Sequence, residues 1–433
     1  MKLLVVGGGG REHAIIRKLW ENPSVTEIYA APGNGGIGFN AVNVPIRATD
    51  LPELVSFAIE KGIDYAVVAP DDPLVAGLVD ALREKGIPAF GPDKGAAILE
   101  GSKVFSKNLM KRYGIPTAAY ETFNDAERAV AYLTACSSYP VVVKADGLAL
   151  GKGVLICGDK AQAVSAVEKI MREKKFGASG DRIVIEEFLT GPEVSVLTFT
   201  DGKTVVPMVS SMDHKRALDG DRGLNTGGMG AVAPNPYYTP EVASTCMRTI
   251  FLPTIEAMNA EGRPFRGCLY FGLMLTPQGP KVIEYNCRFG DPETQVVLPL
   301  LKSDLLTVMQ ATTNGTLSEC EVRFSDRAAA CVILASGGYP GPYETGKEIT
   351  GLMNGQLPGS PATVYHAGTA CKGETTVTSG GRVLGVTAVA DTLQEALHAA
   401  YAAAGTIHFD AVHMRRDIGC RALEAMGENG GEA

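Results

Sequence analysis

The first hundred residues alternate short apolar runs with stretches of helical periodicity, and this alternation constrains the fold more than any other feature. Apolar runs at residues 3–6, 26–30 and 65–69 predict strands, whereas residues 11–20 and Leu51–Lys61 predict helices. Strands that alternate with helices pair in parallel, because each helix carries the chain back across the sheet. The sequence therefore predicts an open parallel α/β sheet at the N-terminus.

The chain as a whole is predicted to be a multidomain α/β and α+β protein. The parallel sheet is assigned to residues 1–102, with another helix over residues 73–85. A second domain is assigned to residues 103–327, and it includes a smaller unit at about residues 117–190. Within that unit, residues 161–172 are predicted to be helical. Residues 328–433 are assigned to a small mixed α/β domain.

Composition excludes several classes of protein. With 433 residues and 45% hydrophobic content, the chain has ample material for buried cores. A net charge of −8 argues against nonspecific binding of nucleic acid. The nine cysteines include no Cys-x-x-Cys pair, which predicts reduced thiols in a cytoplasmic protein. The sequence contains no apolar run of membrane-spanning length, so no membrane association is expected.

The apolar strand that ends near residue 287 carries an unusual set of polar side chains. Glu284 and Asn286 are two positions apart, so they project from the same face of a strand. Both end in oxygen, which suits a hard cation such as Mg²⁺. Arg288 follows, and its guanidinium is well shaped to hold a phosphate or a carboxylate. The set predicts phosphoryl chemistry; the alternative is a solvated strand end with incidental charges.

A glycine-rich hairpin carries a lysine on its first strand. Lys144 directly follows the apolar run 141–143, and an unpaired charge in such surroundings would be costly. The loop 147–153, which contains Gly151 and Gly153, could fold over nucleotide phosphates with Lys144 as a point charge. The spacing is not that of a P-loop, and the alternative is a plain hairpin.

Two glycine-rich loops follow the first two predicted strands. Gly9 and Gly10 open a helix, where backbone N–H groups can bind phosphate. Glu12 stands where the third glycine of a dinucleotide fingerprint would be, so a phosphate site without a nicotinamide is the better interpretation. Gly33 and Asn34 lie after the second strand, and strand ends of this kind line a ligand crevice. Each loop alone could be an ordinary turn.

Two further segments combine acidic, basic and glycine residues. Residues 183–188 predict a strand that ends in Glu186 and Glu187, which could present an adenine-binding edge, with Glu193 near the ribose. Taken alone, this segment is an edge strand followed by a turn. The long polar stretch 210–236 suits a zwitterionic or phosphorylated substrate. The alternative there is a disordered surface loop.

Specific strings in this order resemble the ATP-grasp superfamily and, within it, the glycinamide ribonucleotide synthetase (phosphoribosylamine–glycine ligase) family. The resemblance covers essentially the whole chain. It rests on Gly-Gly-Gly-Gly-Arg-Glu-His-Ala at 7–14, Lys-Ala-Asp-Gly-Leu-Ala at 144–149, Asp-His-Lys-Arg at 213–216, Asn-Thr-Gly-Gly-Met-Gly at 225–230, Asn-Cys-Arg-Phe-Gly-Asp-Pro-Glu-Thr-Gln at 286–295 and Arg-Arg-Asp-Ile-Gly at 415–419.

The resemblance implies an ATP-grasp domain with a mobile glycine-loop lid, and ligation of glycine to 5-phosphoribosylamine through glycyl phosphate. It implies Mg²⁺ or Mn²⁺ at Glu284 and Asn286, and a catalytic role for Arg288, Lys144, Asp213 and Lys215. ATP would contact Lys103, Lys144, Gly151, Gly153, Glu186, Glu187, Leu189 and Glu193. The other substrates would contact Gly9, Gly10, Gly33, Asn34, Asp213, Lys215, Asn225, Thr226, Gly227, Gly228 and Arg288.

The family also implies a monomer that uses only small-molecule substrates. Two positions depart from its pattern. The strand at residues 270–274 contains no acid that could add a metal ligand, and Asp71 stands where glutamate is expected. Three alternatives remain: another ATP-grasp carboxylate–amine ligase, a nicotinamide-dependent oxidoreductase and a noncatalytic nucleotide sensor. The intact set of Lys144, Glu284, Asn286 and Arg288 argues against the last two.

Overall fold

The computed structural model describes residues 1–148 and 153–427. Its N-terminal region forms a five-stranded sheet in the order β3-β2-β1-β4-β5, and all neighbouring strands are parallel. The predicted parallel sheet is therefore confirmed. The elements of this region are β1 (Lys2–Gly7), α1 (Gly10–Leu19), β2 (Glu27–Pro32), β3 (Val42–Asn43), α2 (Leu51–Lys61), β4 (Tyr65–Val68), α3 (Asp71–Ala76), α4 (Leu78–Glu84), β5 (Ala89–Phe90) and α5 (Lys94–Gly101).

The predicted helix over residues 73–85 is wrong in detail, because the chain forms two helices there. Gly77 separates α3 from α4 and has a φ of +99°, which an α-helix cannot accommodate and which glycine tolerates best. Helix α5 was not predicted. Its N-cap is Asp93, whose carboxylate accepts a hydrogen bond from the Ala96 N–H, so a single capping residue is the sequence signal for this helix.

The next region contains a small four-stranded sheet in the order β6-β9-β7-β8, with its own hydrophobic core. β9 lies between β6 and β7, so the edge-strand interpretation of residues 183–188 is wrong. The helix predicted over residues 161–172 is α-helical only as far as Val167 and then continues as a π-helical turn, Glu168–Arg172. The elements are α6 (Lys103–Arg112), β6 (Tyr120–Phe123), α7 (Ala126–Ala135), β7 (Val141–Ala145), β8 (Val154–Cys157), α8 (Lys160–Val167) and β9 (Ile183–Glu187).

The third region is built around a four-stranded sheet in the order β11-β10-β16-β17, in which neighbours are antiparallel. Its elements are β10 (Glu193–Thr200), β11 (Val205–Pro207), β12 (Met212–Asp213), β13 (Arg216–Leu218), β14 (Arg222–Asn225), β15 (Gly230–Ala233), α9 (Pro240–Cys246), α10 (Leu252–Ala260), β16 (Gly267–Thr276), β17 (Gly279–Asn286), α11 (Thr294–Val297) and α12 (Leu305–Asn314).

The C-terminal region adds a sheet in the order β12-β15-β18-β22-β19, with β23 also paired to β18. Two of its strands, β12 and β15, come from the preceding region, so the chain on both sides of residue 328 contributes to one sheet. The elements of the C-terminal region are β18 (Ala328–Ser336), β19 (Thr363–His366), β20 (Thr369–Lys372), β21 (Thr375–Thr378), β22 (Arg382–Ala390), α13 (Leu393–Ala404), β23 (Val412–His413) and α14 (Cys420–Ala425).

One hydrophobic cluster joins the three large regions. It contains fully buried side chains such as Leu3 from β1, Phe199 from β10 and Cys331 from β18. Burial of this kind contributes about 25 cal/mol for each Å² of apolar surface, so the shared cluster holds the three regions together. Among the described residues, no helix combines the length and apolar character needed to cross a membrane.

Two buried histidines connect the N-terminal and C-terminal regions. The Nδ1 atom of His13 accepts a hydrogen bond from the His366 N–H at 2.8 Å, so its Nε2–H donates to Oδ1 of Asn40 at 3.0 Å. Burial lowers the pKa of His13 to about 3 and that of His366 to about 4. His214 behaves in the same way, since burial and then Arg415 lower its pKa to about 4.

We expect the protein to lose stability as the pH falls from about 6.5 to about 3. An unfolded histidine takes up a proton near pH 6.5, whereas these three resist protonation in the folded state, so the unfolded state binds more protons in this window. Each contributes on the order of 3 kcal/mol to the loss when it is complete. Urea unfolding at a series of pH values measures the slope. His13→Gln should flatten it, whereas the exposed His398→Gln should leave it unchanged; equal slopes in all three proteins would contradict the assignment.

Candidate active site

Strand β17 presents Glu284 and Asn286 on one face, as the sequence predicts from their spacing. Glu284 lies opposite Gly272 of β16, where a Cβ atom would come within 3.1 Å of the Glu284 Cγ. Nζ of Lys215 lies 3.8 Å from Oε1 of Glu284. Burial acts to raise the pKa of the Glu284 carboxyl, but nearby cations outweigh burial and lower it below its usual value. In order of influence these cations are Lys215, Lys144, Lys103 and Arg288.

The oxygen atoms of Glu284 and Asn286 fit a hard divalent cation, which prefers carboxylate and amide oxygens. In residues 1–148 and 153–427, three or more His, Cys, Asp or Glu side chains are nowhere arranged to hold a metal. The two oxygens would therefore need further ligands from nucleotide phosphates or water. Oδ1 of Asn286 also accepts a hydrogen bond from Nη2 of Arg288 at 3.1 Å, and its second lone pair remains for a metal.

The guanidinium of Arg288 is held from several sides. Nη1 donates to the Phe289 carbonyl at 3.1 Å, and Nη2 lies 3.3 Å from Oε1 of Glu100. Its Nε is buried without a hydrogen-bond partner. Burial acts to lower the pKa of Arg288, but Glu100 and then Asp71 outweigh it and raise it, so the side chain stays cationic. A fixed cation with an unpaired N–H can bind an anionic oxygen.

Lys144 belongs to a buried ion triad. Its Nζ lies 3.0 Å from Oε1 of Glu186, and Nζ of Lys107 lies 3.0 Å from Oε2 of the same carboxylate. All three side chains are at most 5% exposed. Nζ of Lys144 also donates to the Ile283 carbonyl at 3.1 Å, next to Glu284. Burial, as the largest cause, lowers the pKa of Lys107 to about 8. Two lysines thus pair with the charge of Glu186, although its Oε1 accepts no hydrogen bond, and the predicted nucleoside contact of Glu186 stays a prediction.

Lys103 connects the same site to the glycine loop. At the start of α6, its Nζ donates to the Gly147 carbonyl at 2.8 Å. Burial lowers its pKa, while Glu284 acts in the opposite direction. The far end of the loop is anchored by the hydrogen bond from the Ala145 N–H to the Gly153 carbonyl at 2.8 Å. Gly151, predicted to contact ATP, lies outside the described residues.

The other predicted nucleoside contacts lie between the end of β9 and the start of β10. Glu187 is exposed and pairs with Lys281 at 3.0 Å, and Leu189 is half-buried. Oε2 of Glu193 lies 2.9 Å from Nζ of Lys215, which also faces Glu284. Lys215 therefore links a predicted nucleoside contact to a predicted metal ligand.

Asp213 is the last residue of β12, and Lys215 follows it two positions later and faces Glu284. Oδ1 of Asp213 is buried without a hydrogen-bond partner. Burial raises the pKa of Asp213 well above its usual value, and Glu293 adds to the increase. Burial acts to lower the pKa of Lys215, but Glu193 and Glu284 raise it well above its usual value. A buried, unpaired acceptor beside a cation is suited to a substrate that carries both charges.

The predicted substrate loop 225–228 contacts this region and the C-terminal region. The Thr226 hydroxyl donates to the Lys215 carbonyl at 2.9 Å, and Gly228 packs so closely on Asp213 that a Cβ atom would lie 2.5 Å from its Oδ1. Nη1 of Arg382 donates to the Gly227 and Asp291 carbonyls, each at 2.7 Å. Asn225 ends β14 and is exposed. Thr226, Gly227 and Gly228 are thus brought to the site, whereas Asn225 lies at its edge.

The two N-terminal glycine loops already make hydrogen bonds within the protein that the sequence does not predict. The Gly9 N–H donates to Oε2 of Glu12 at 2.6 Å, so a carboxylate already caps the start of α1. Next to it, a Cβ atom at Gly10 would come within 2.6 Å of Nε2 of Gln295. Asn34 donates to the Gly8 and His366 carbonyls at 2.9 and 2.8 Å, and Gly33 packs against Asn43. The side chain of Asn34 therefore has a structural role, and phosphate binding by Gly9 and Gly10 stays a prediction.

Three family models of one enzyme cover most of the chain. The phosphoribosylglycinamide synthetase N domain matches residues 1–100, the ATP-grasp (A) domain matches residues 101–294, and the C domain matches residues 329–421. The chain belongs to the phosphoribosylglycinamide synthetase family. The predicted family and the predicted fold class are therefore confirmed.

Relatives of this synthetase family are similar over nearly the whole of this chain. The phosphoribosylamine–glycine ligase of Vibrio cholerae is 48% identical, covering 98% of this chain and 99% of the relative. A bifunctional purine biosynthetic protein of Schizosaccharomyces pombe is 47% identical over 97% of this chain and 53% of its own length. The crystal structure of a phosphoribosylamine–glycine ligase from Thermotoga maritima has a TM-score of 0.84 at 35% identity, covering 96% of this chain and 100% of that one.

The fold is also similar to that of more distant proteins. A biotin carboxylase domain from Hydrogenobacter thermophilus, solved with MgADP and bicarbonate, has a TM-score of 0.74 at 18% identity. It covers 95% of this chain, and at this identity it shows the similarity of the fold alone.

Sequence reasoning missed several charged residues around the site. Glu100 directly precedes the recognised Gly-Ser-Lys start of α6, and Asp291 and Glu293 lie inside the string at 286–295, so position relative to the motifs could have indicated these three. Lys107 is one helical turn after Lys103, which was a weaker signal. Arg382 enters from β22, and nothing near it in the sequence points to the site.

Proposed function

We propose that this synthetase family member joins glycine to 5-phosphoribosylamine with ATP, giving glycinamide ribonucleotide, ADP and phosphate. This is a step in purine biosynthesis. The observation that carries the proposal is the convergence of Glu284, Asn286 and Arg288 on Lys144 and Lys215, in a chain that matches the family along its length. Such a cluster offers metal ligands and several cations to a triphosphate and a carboxylate.

The first chemical step transfers a phosphoryl group. A carboxylate oxygen of glycine attacks the γ-phosphorus of ATP, the bond to the β,γ-bridging oxygen breaks, and ADP leaves. The product, glycyl phosphate, has a good leaving group where the carboxylate had none. Phosphoryl transfer is catalysed chiefly by positioning and by neutralising charge. Lys103 and Lys144 would hold the ATP phosphates, and Arg288 would stabilise charge on the transferring group.

The second step forms the amide bond. The amine nitrogen of phosphoribosylamine attacks the carbonyl carbon of glycyl phosphate, the C–O bond to phosphate breaks, and one proton is released. The unpaired Oδ1 of Asp213 would accept a hydrogen bond from the amino group of glycine, and the ammonium group of Lys215 would hold its carboxylate. The loop 225–228 would complete this pocket, and the glycine loops at Gly9 and Gly33 would receive the phosphorylated sugar. The loop 147–153 would cover the reaction and exclude water.

Glu284 and Asn286 would hold Mg²⁺ or Mn²⁺. When bound, such an ion neutralises and aligns the oxygens of the triphosphate. The lowered pKa of Glu284 supports this role, because the carboxyl is ionised and ready to bind a cation. Glu186, Glu187, Leu189 and Glu193 are proposed to surround the nucleoside.

We also propose that the enzyme acts as a monomer in the cytoplasm. The nine cysteines are free thiols in the structure, which fits a reducing compartment. Light scattering coupled to size-exclusion chromatography measures the oligomeric state, and a mass of about twice 45.5 kDa would contradict a monomer.

The assay that tests the reaction follows ADP release with MgATP, glycine and phosphoribosylamine generated in situ. We expect full release only when both other substrates are present, together with a new product of the mass of glycinamide ribonucleotide. Replacing glycine by alanine provides the matched control for the acid. ADP release that requires a different acid would instead favour another ATP-grasp ligase.

A further inference from the structure

A buried carboxylate outside the predicted site lies directly behind Arg288. Glu100 is in the last turn of α5, belongs to the N-terminal region and is 8% exposed. Buried acidic side chains are uncommon unless a partner compensates the charge. Its partners therefore indicate its role.

Both oxygens of Glu100 contact the segment that follows the predicted metal strand. Oε2 accepts a hydrogen bond from the Cys287 N–H at 2.6 Å, and Oε1 lies 3.3 Å from Nη2 of Arg288. One carboxylate thus holds the backbone of one residue and the side chain of the next. This arrangement fixes the guanidinium relative to β17, where Glu284 and Asn286 lie.

The contact with Glu100 also determines which parts of Arg288 remain for a ligand. Nη1 is used by the Phe289 carbonyl, and Nη2 is shared between Asn286 and Glu100. Nε is buried and has no partner. Without Glu100, the guanidinium would lose its only carboxylate at bonding distance among the described residues and could rotate about the side chain.

The same turn of chain positions the lysine that is proposed to contact ATP. Immediately after Glu100 and Gly101, the Ser102 hydroxyl accepts the Phe105 N–H as the N-cap of α6 and donates to Oδ1 of Asp146 at 2.9 Å. Lys103 then reaches the Gly147 carbonyl. The short segment 100–103 therefore contacts Arg288 through Glu100 and the start of the glycine loop through Ser102 and Lys103.

We propose that Glu100 is a positioning residue that orients Arg288 toward the carboxylate and acyl phosphate oxygens of the substrate. This inference rests on the proposed ligase function and adds to it a residue that does not touch the substrate. If Glu100 had a purely structural role, its substitution would lower the stability of the protein but would leave the kcat of the folded enzyme unchanged.

The test compares Glu100→Gln with wild type. The amide is isosteric and still accepts the Cys287 N–H, but it cannot carry the charge that pairs with Arg288. Burial raises the pKa of Glu100 to about 7, so both proteins are compared at about pH 8, where the carboxylate is ionised. We expect kcat to fall about 10- to 100-fold, the range typical of residues that orient a contacting side chain without touching the bound group themselves. The KM for ATP should change less than about twofold, because other residues hold the nucleotide. Glu84→Gln, an exposed carboxylate at the end of α4, should keep the wild-type kcat.

A double-mutant cycle separates positioning from general damage. Once Arg288→Gln has removed the guanidinium, Glu100→Gln should cause little further loss of kcat. Glu100→Asp, which keeps the charge on a shorter side chain, should recover part of the loss. Additive losses in the cycle, or an unchanged kcat in Glu100→Gln, would overturn the proposal.

The outcomes distinguish this proposal from the proposed function. If wild-type ADP release does not depend on glycine and phosphoribosylamine, the ligase function fails, whatever the variants do. Crystal structures of wild type and Glu100→Gln then give a readout that needs no turnover. We expect the Arg288 guanidinium to be displaced in the variant, and an unmoved guanidinium would overturn the positioning role.

Discussion

Glu284→Gln is expected to lower glycine-dependent ADP release by about 10²- to 10³-fold, corresponding to about 3–4 kcal/mol of transition-state stabilisation. The substitution keeps the shape of the side chain but removes the carboxylate on which Lys215, Lys144, Lys103 and Arg288 act. An amide binds a divalent cation more weakly than a carboxylate does. The loss should therefore be accompanied by a higher Mg²⁺ concentration at half-maximal activity.

The matched control for Glu284 is Glu121→Gln, which makes the same change at an exposed position on β6. It should retain wild-type activity and the wild-type Mg²⁺ requirement. Glu284→Asp keeps the charge and should be less impaired than Glu284→Gln. Wild-type turnover of Glu284→Gln at ordinary Mg²⁺ concentrations would remove Glu284 from the metal site.

Much of the fold could be predicted because its local signals agree with its tertiary contacts. Residues 3–6 are uniformly apolar and become a strand buried on both faces. Helix α2 is flanked by Asp50 as its N-cap and Gly62 as its C-cap, both standard capping residues. The errors arose where one residue changed the backbone locally, as Gly77 does between α3 and α4. The membership of β12 and β15 in the C-terminal sheet depends on long-range pairing, which periodicity alone does not reveal.

The site was predictable to the extent that its residues lie in short strings. The convergence of Glu284, Lys144 and Lys215 was expected, and the structure brings these residues together. Their partners were not predictable in the same way, because Arg382 is a long-range neighbour of the loop 225–228. The sequence also could not show that the carboxylates of Glu12 and Glu186 contact polar or charged groups of the protein itself.

Glu186→Gln is expected to destabilise the nucleotide-free protein by about 3–5 kcal/mol, because removing the shared partner of a buried ion pair leaves charges uncompensated. Lys107 and Lys144 would both remain at most 5% exposed without a counter-ion. Lys107 comes from α6 and Lys144 from β7, so the loss should loosen the small sheet from the helix before it. Urea unfolding measures the effect, and the KM for ATP should rise because Lys144 is no longer held.

The neighbouring residue provides a closely matched control for this prediction. Glu187→Gln removes a carboxylate one position along the chain, but that carboxylate is exposed and pairs with Lys281 at the surface, where an ion pair contributes at most about 1 kcal/mol. Its stability should stay near that of wild type. Adding Lys107→Met to Glu186→Gln removes one of the two unpaired cations, so the double variant should be more stable than Glu186→Gln alone. Equal stabilities of Glu186→Gln and Glu187→Gln would show that the triad does not stabilise the fold, because only the first substitution breaks it.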